Sequence, residues 1–251
     1  MAGVAAALLP LGAAIGSFLN VVIHRVPRGD SIVKPRSRCP GCEREIRARD
    51  NVPIVSWLVL RGRCRNCATP ISARYPAVEL LTAAVFAAVV IARGVHPELT
   101  ALLPFAAMLV AVAFIDLEHR IVPNRILLPM AIWAVTSGAV FRTSELPSLL
   151  IAGASAFLFL LVAALIQPAG MGMGDVKLAG VMGLYLGSAV APALLVAFLA
   201  GSLVGVAIML CLGAGARKRG VPFAPFLALG GLVGLLAGPE LVALYSHRFL
   251  G

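Results

Sequence analysis

The chain has 251 residues, 60% of them hydrophobic and 13% charged, with a formal net charge of +10. That leaves too little polar surface to cover a water-soluble globule, which excludes the soluble enzyme and secreted-domain classes. The apolar runs approach the roughly 20 residues that cross a bilayer as a helix and do not alternate as barrel strands do, so the expected fold is an all-α, polytopic transmembrane bundle.

Residues 1–23 carry no charge, and the run ends at His24, Arg25, Pro27 and Arg28, a membrane interface. We read 1–24 as the first transmembrane helix. A signal peptide would place its positive charge before the apolar core, not after it, so this segment is expected to be retained. Gly12 and Gly16 have the spacing of closely packed helices, and Asn20 and His24 share a face. Asn20 suits either an interhelical hydrogen bond or a functional role.

Composition then changes abruptly. From Arg25 to Arg74 twelve Lys or Arg face only four acids, Asp30, Glu43, Glu45 and Asp50, a net charge of +8. Residues 25–76 are therefore a polar insert. It holds four of the five cysteines as Cys39-Pro-Gly-Cys42 and Cys64-Arg-Asn-Cys67. Two such knuckles supply the four soft ligands of tetrahedral zinc, and an insert this small builds little core without a staple. A pair of disulfides is the alternative in an oxidising compartment. Cys211, in an apolar run, reads as a small core residue.

The remaining residues, 77–251, form the transmembrane core, with spans predicted near 77–92, 99–115, 125–141, 147–167, 176–191, 193–213 and 223–245, eight with the first. Between the sixth and seventh only Gly187, Ser188 and Pro192 suggest a turn. Gly183 and Gly187, Gly201 and Gly205, and Gly230, Gly234 and Gly238 repeat the spacing of tight helix packing. Eight alternating spans place 18 Lys and Arg on one side and 3 on the other. The positive-inside rule makes the richer side cytoplasmic, with both termini outside. A reducing cytoplasm favours zinc over disulfides.

In this topology Asp116 ends the third span and Asp175 begins the sixth, both at the cytoplasmic interface. A carboxyl beside hydrocarbon costs on the order of 3 kcal/mol at a helix centre and less at its edge, so two of them require a reason. Brought together by packing they would share a proton, one acting as base and the other as acid on a water that attacks a peptide carbonyl. Gly170, Gly172 and Gly174 would let backbone approach a substrate closely. Lys177 suits either an interfacial cation or a site residue. A helix cap would explain Asp175 but not Asp116, which stands at the unfavourable C-terminal end of its own helix. Two other classes remain open: a secondary transporter, which usually carries its acids near mid-membrane, and a zinc-anchored scaffold, which needs no aspartates.

Several stretches carry a resemblance. Gly16-Ser-Phe-Leu-Asn-Val-Val-Ile-His-Arg25, the two Cys-x-x-Cys pairs, Arg74-Tyr-Pro-Ala-Val-Glu-Leu-Leu81, Asp116 with Ile121-Val-Pro123-Asn, Gly172-Met-Gly174-Asp175-Val-Lys177-Leu, and Pro222-Phe-Ala-Pro-Phe-Leu-Ala228 resemble, in order, the motifs of the bacterial type IV prepilin peptidases. The late run has Ala224 where the family has glycine. The resemblance implies an inner-membrane aspartic endopeptidase that removes the basic leader of prepilins and pseudopilins at the cytoplasmic face. It implies Asp116 and Asp175 as the catalytic pair, with Gly172, Gly174, Lys177 and Pro123 supporting them. Many members with the zinc insert then methylate the new N-terminus with S-adenosylmethionine. A Gly-Lys pair before the third cysteine is linked to that step, where this chain has Gly62-Arg63; Glu79 is a further candidate, although it also suits a helix's first turn. The basic insert would repel a basic leader, so its charge is better matched to anionic lipid than to substrate, with no nucleic-acid partner expected. Leader binding would fall to Glu43, Glu45, Asp50 or Glu118.

Overall fold

The structure is a computed structural model and describes residues 2–167, 171–212 and 221–249. These are predominantly helical, with no strand among them. The helices are α1 Ala2–Arg25, α2 Val55–Val59, α3 Arg74–Arg93, α4 Leu99–His119, α5 Asn124–Phe141, α6 Leu146–Ile166, α7 Met173–Leu186, α8 Val190–Leu212 and α9 Ala224–Phe249. The eight other than α2 correspond one to one to the apolar runs read from hydropathy. Six stretches are long and apolar enough to cross a membrane, the last of them, Met173–Cys211, containing both α7 and α8. The chain is a multi-pass membrane protein.

The break between α7 and α8 is a single 3-10 turn, Gly187–Ala189, opened by Gly187 at φ 58°. Pro192 plays no part in it. It lies in the first turn of α8, where a missing N–H leaves no helical bond unmade. α7 has 14 residues, so it reaches only about 21 Å, short of the ~30 Å hydrocarbon core. It starts at Met173 rather than at 176, which places Gly174 and Asp175 inside its first turn.

The residues divide into two compact units, Met1–Val95 and His96–Gly251. In the first, α1 packs on α3 through its small residues. A Cβ added at Gly12 would lie 2.6 Å from Ala83 Cα, and one at Gly16 equally close to Glu79 Cα. Asn20, buried, donates across this interface to the Tyr75 carbonyl at 3.1 Å, the interhelical role.

In the second unit α4 is the most enclosed helix, buried along most of its length from Ala101 to Asp116. α9 packs against both α4 and α7: a Cβ at Gly231 would meet Leu109 at 2.9 Å and Met182 at 3.3 Å. Phe105 of α4 stacks on Tyr185 of α7, centroids 4.4 Å apart. α6 and α7 touch backbone to backbone, because a Cβ at Gly183 would stand 2.6 Å from both the Ala152 carbonyl oxygen and Gly153 Cα. Overpacking typically costs about 1–3 kcal/mol, and backbone cannot yield as a side chain can. Gly183→Ile is therefore expected to lower the thermal midpoint in detergent by several degrees, whereas Gly205→Ala, with open space around it, leaves it unchanged. Equal midpoints for the two would contradict this packing.

Cys211 is exposed on α8. The core position expected from its apolar run is not what the helix presents: that face of α8 points outward, where hydrocarbon meets an apolar thiol without penalty.

Candidate active site and metal centre

Three helix ends meet at one end of the second unit. Asp116 lies in the last turn of α4, 6% exposed, and Asp175 is the third residue of α7, 8% exposed. The start of α9 joins them. Phe223 opens that helix, its carbonyl accepting the amides of Phe226 and Leu227. The Ala224 N–H, free of any intrahelical partner at this position, donates to Asp116 Oδ2 at 3.0 Å in a buried setting.

This corrects the argument that no helix cap accounts for Asp116. Its own helix disfavours an anion there, but α9 begins against it, so the carboxyl sits at the positive end of a neighbouring helix. Asp175 likewise lies in the first turn of α7, behind Gly172. Both acids are thus held at helix N-termini. Asp175 Oδ1 is buried and has no hydrogen-bond partner among the described residues. A buried carboxyl oxygen without a donor is costly unless a water or a substrate group completes it.

The neighbouring residues divide in two. Gly172 is the less crowded of the two glycines: an added Cβ would meet Asp175 Oδ2 at 3.5 Å and the Gly174 amide nitrogen at 3.9 Å, both ordinary contacts. Gly174 does not provide room, because a Cβ there would lie 2.7 Å from Val122 Cβ. Its smallness lets α7 start against the 121–123 segment. Gly170 lies outside the described residues. Pro123 opens α5, its carbonyl accepting the amides of Ile126 and Leu127. Lys177 reaches across to the next residue, its Nζ donating to Asn124 Oδ1 at 3.1 Å, so it ties α7 to α5. The Ala224 amide and Asn124 are the site groups that sequence reasoning missed. The Pro222-Phe-Ala-Pro run was the available signal for the first, since proline in the first turn marks a helix start.

The metal centre lies in the first unit. Sγ atoms of Cys39, Cys42, Cys64 and Cys67 all fall within 4.8 Å of one another, with Cys39 and Cys67 3.6 Å apart. A disulfide would need about 2.05 Å, whereas the edge of a tetrahedral thiolate site is about 3.8 Å. The donor set therefore fits a metal ion. The knuckles are built alike. In each, the amide of the first cysteine bonds five residues on (Cys39 to Arg44, Cys64 to Thr69), and the residue after the second cysteine turns left-handed (Glu43 at φ 56°, Ala68 at φ 57°). Hydrogen bonds from the Thr69 hydroxyl and amide pull the Cys67 thiol down to about 6, toward the thiolate form that a metal ligand takes. Of the acids considered for leader binding, Asp50 is gripped by Arg65 Nε and Nη2, which holds its carboxyl below the usual carboxylate range, and Glu45 pairs with Arg38 at 3.8 Å. Glu118 lies 3.9 Å from His119.

The three methyltransferase candidates gather around α2. Glu79 Oε2 accepts the Ile54 amide at 2.7 Å, just ahead of that helix. Gly62, at φ 66°, lies under Trp57, whose ring a Cβ would touch at 3.0 Å, and Arg63 follows it.

Residues 11–93 match the Bacterial Peptidase A24 N-terminal domain and residues 103–210 the Type IV leader peptidase family. A prepilin leader peptidase/N-methyltransferase of Bacillus subtilis (strain 168) is 36% identical over 97% of this chain and 98% of its own length. The chain belongs to the type IV leader peptidase family. The enzyme of the same name from Aeromonas hydrophila is 36% identical over 94% of this chain and 91% of its own. That of Myxococcus xanthus (strain DK1622) is 39% identical over 84% of this chain and 65% of its own. No solved structure matches. As a leader peptidase of this family the protein is an enzyme and not a transporter or scaffold, and the two family domains fall either side of the boundary between its structural units.

Proposed function

We propose that this leader peptidase removes the basic leader of type IV prepilins and pseudopilins by aspartic chemistry at Asp116 and Asp175, at the cytoplasmic face of the bacterial inner membrane. The observation that carries the chemistry is the unpartnered, buried Oδ1 of Asp175 beside a second carboxyl that a backbone amide holds in place. A water between the two carboxyls loses its proton to one of them while the other donates to the scissile carbonyl oxygen, and the roles reverse as the amine leaves. Gly172, which carries no side chain beside Asp175 Oδ2, leaves the approach to that carboxyl for the substrate backbone. Lys177 and Pro123 fix the mouth of the site by joining α7 to α5. Orientation follows from the charge count, 18 basic residues on the side we assign to the cytoplasm against 3 on the other. Anionic lipid is the partner for the basic insert, and the four cysteines hold a structural zinc ion.

The relatives' name supports N-methylation of the new N-terminus as a second activity, with S-adenosylmethionine supplying the methyl group when bound. Gly62 packs against Trp57 and Glu79 bonds the Ile54 amide, so neither is open to serve as a cofactor ligand. Mass spectrometry of a pilin N-terminus after incubation of its precursor with the enzyme in nanodiscs and added S-adenosylmethionine tests both activities together. The expected product begins at the hydrophobic segment and carries one added methyl. An uncut precursor overturns the peptidase reading, and a cut but unmethylated pilin overturns the second activity alone.

A further inference from the structure

The small helix α2 is built inside out. Ser56 is buried and Trp57 half-buried, and both spend their polar atoms inward: Ser56 Oγ donates to the Arg49 carbonyl and accepts the Val52 amide, and Trp57 Nε1 donates to the Ile71 carbonyl. Val55, Leu58 and Val59, on the opposite face, are each more than half exposed. Their spacing of three and four residues makes one continuous aliphatic stripe. In a polar insert facing water this arrangement is backwards, since the apolar residues are the ones left outside.

Position resolves the contradiction. α3 runs 20 residues from Arg74 to Arg93, about 30 Å, which matches the hydrocarbon core with one arginine at each edge. Glu79 stands five residues into that helix, about 7.5 Å below the edge, and its side chain leans back toward the N-terminus. Its carboxyl, on a residue only 7% exposed, receives the Ile54 amide at 2.7 Å. The residue that precedes α2 is thereby tied to the boundary between headgroups and hydrocarbon. Ile54 adopts φ 62° to turn the chain there. Arg49, which backs onto Ser56, and Arg61 and Arg63, which follow α2, are exposed, a charge complement for lipid phosphates.

We propose that α2 is an interfacial anchor: Val55, Leu58 and Val59 lie in the acyl region of an anionic leaflet beside α3, with Arg49, Arg61 and Arg63 at the phosphates and Glu79 fixing the depth. The anchor holds the four-cysteine insert against the membrane surface, and it stands independently of the cleavage chemistry. Gly62, packed beneath Trp57, lets the chain leave the helix close to that surface.

The test is photocrosslinking from p-benzoylphenylalanine at Leu58, with the enzyme in nanodiscs containing phosphatidylglycerol. Intact-protein mass spectrometry is expected to show an adduct of one phospholipid mass with or without a prepilin present. Val55→Glu with Val59→Glu is expected to cut that adduct at least tenfold with bound metal retained. A probe at Leu58 that labels prepilin and no lipid overturns the proposal and assigns the stripe to substrate; labelling of neither overturns it outright. A second measurement leaves α2 unaltered. In Trp133→Phe, Trp57 is the remaining one of the chain's two tryptophans, and lipids brominated near the headgroup are expected to quench it several-fold more than aqueous iodide. The reverse order contradicts the anchor.

Discussion

Asp116→Asn and Asp175→Asn, each made alone, are expected to lower single-turnover prepilin cleavage by about 10³-fold or more while the protein still inserts and keeps its thermal midpoint. The loss follows from the shared work of the pair. Asparagine neither takes a proton from water nor gives one to a carbonyl oxygen, so the surviving carboxyl has no partner in the exchange. Asparagine is also the substitution that separates chemistry from architecture. Its amide oxygen still accepts the Ala224 N–H that reaches Asp116 Oδ2 at 3.0 Å, so the start of α9 stays anchored. Asp116→Ala would remove that acceptor as well and add a cap loss of about 1 kcal/mol. Cleavage by either asparagine variant within tenfold of the parent would exclude the paired-aspartate mechanism.

Cys39→Ser is expected to release the metal and unfold the insert. Structural zinc in small domains contributes roughly 10–16 kcal/mol of apparent binding energy, and that binding is the folding energy of the segment. The insert has no alternative source: its regular structure is α2, two short 3-10 turns and two isolated bridges, Arg38 with Glu45 and Arg63 with Pro70. Metal content by emission spectroscopy should fall, and amides of 38–71 should lose their protection from hydrogen exchange. Methylation is expected to fail in this variant. Cleavage should survive better, because both aspartates belong to the separate unit His96–Gly251. Unchanged metal content with full protection would refute the assignment.

Hydropathy, punctuation and the paired cysteines made most of the architecture legible before any coordinates. Helices α1 and α3 to α9 start and stop near the charges, prolines and glycines that suggested them, because a bilayer penalises polar backbone outside helices and leaves few other solutions. The cysteine cluster was legible because spacing within a knuckle is local. What sequence could not carry was contact between distant segments. Nothing near Gly174 announces that Val122 fills its space, and nothing near Glu79 announces Ile54. The reading of Asp116 as a carboxyl without a cap was sound for α4 taken alone. It failed because the relevant helix end lies 108 residues later in the chain.

That contact has a consequence for how the site would respond to genetic change. The group steadying Asp116 is main chain, so every residue but proline supplies it at position 224, and alanine serves as well as the glycine of the family's pattern. Side-chain scanning of the Pro222-Phe-Ala-Pro run would register only steric fit around a residue with no exposed surface and would pass over its electrostatic role. An amide-to-ester exchange at 224, which deletes one N–H and leaves every side chain in place, is the change that would make this support visible.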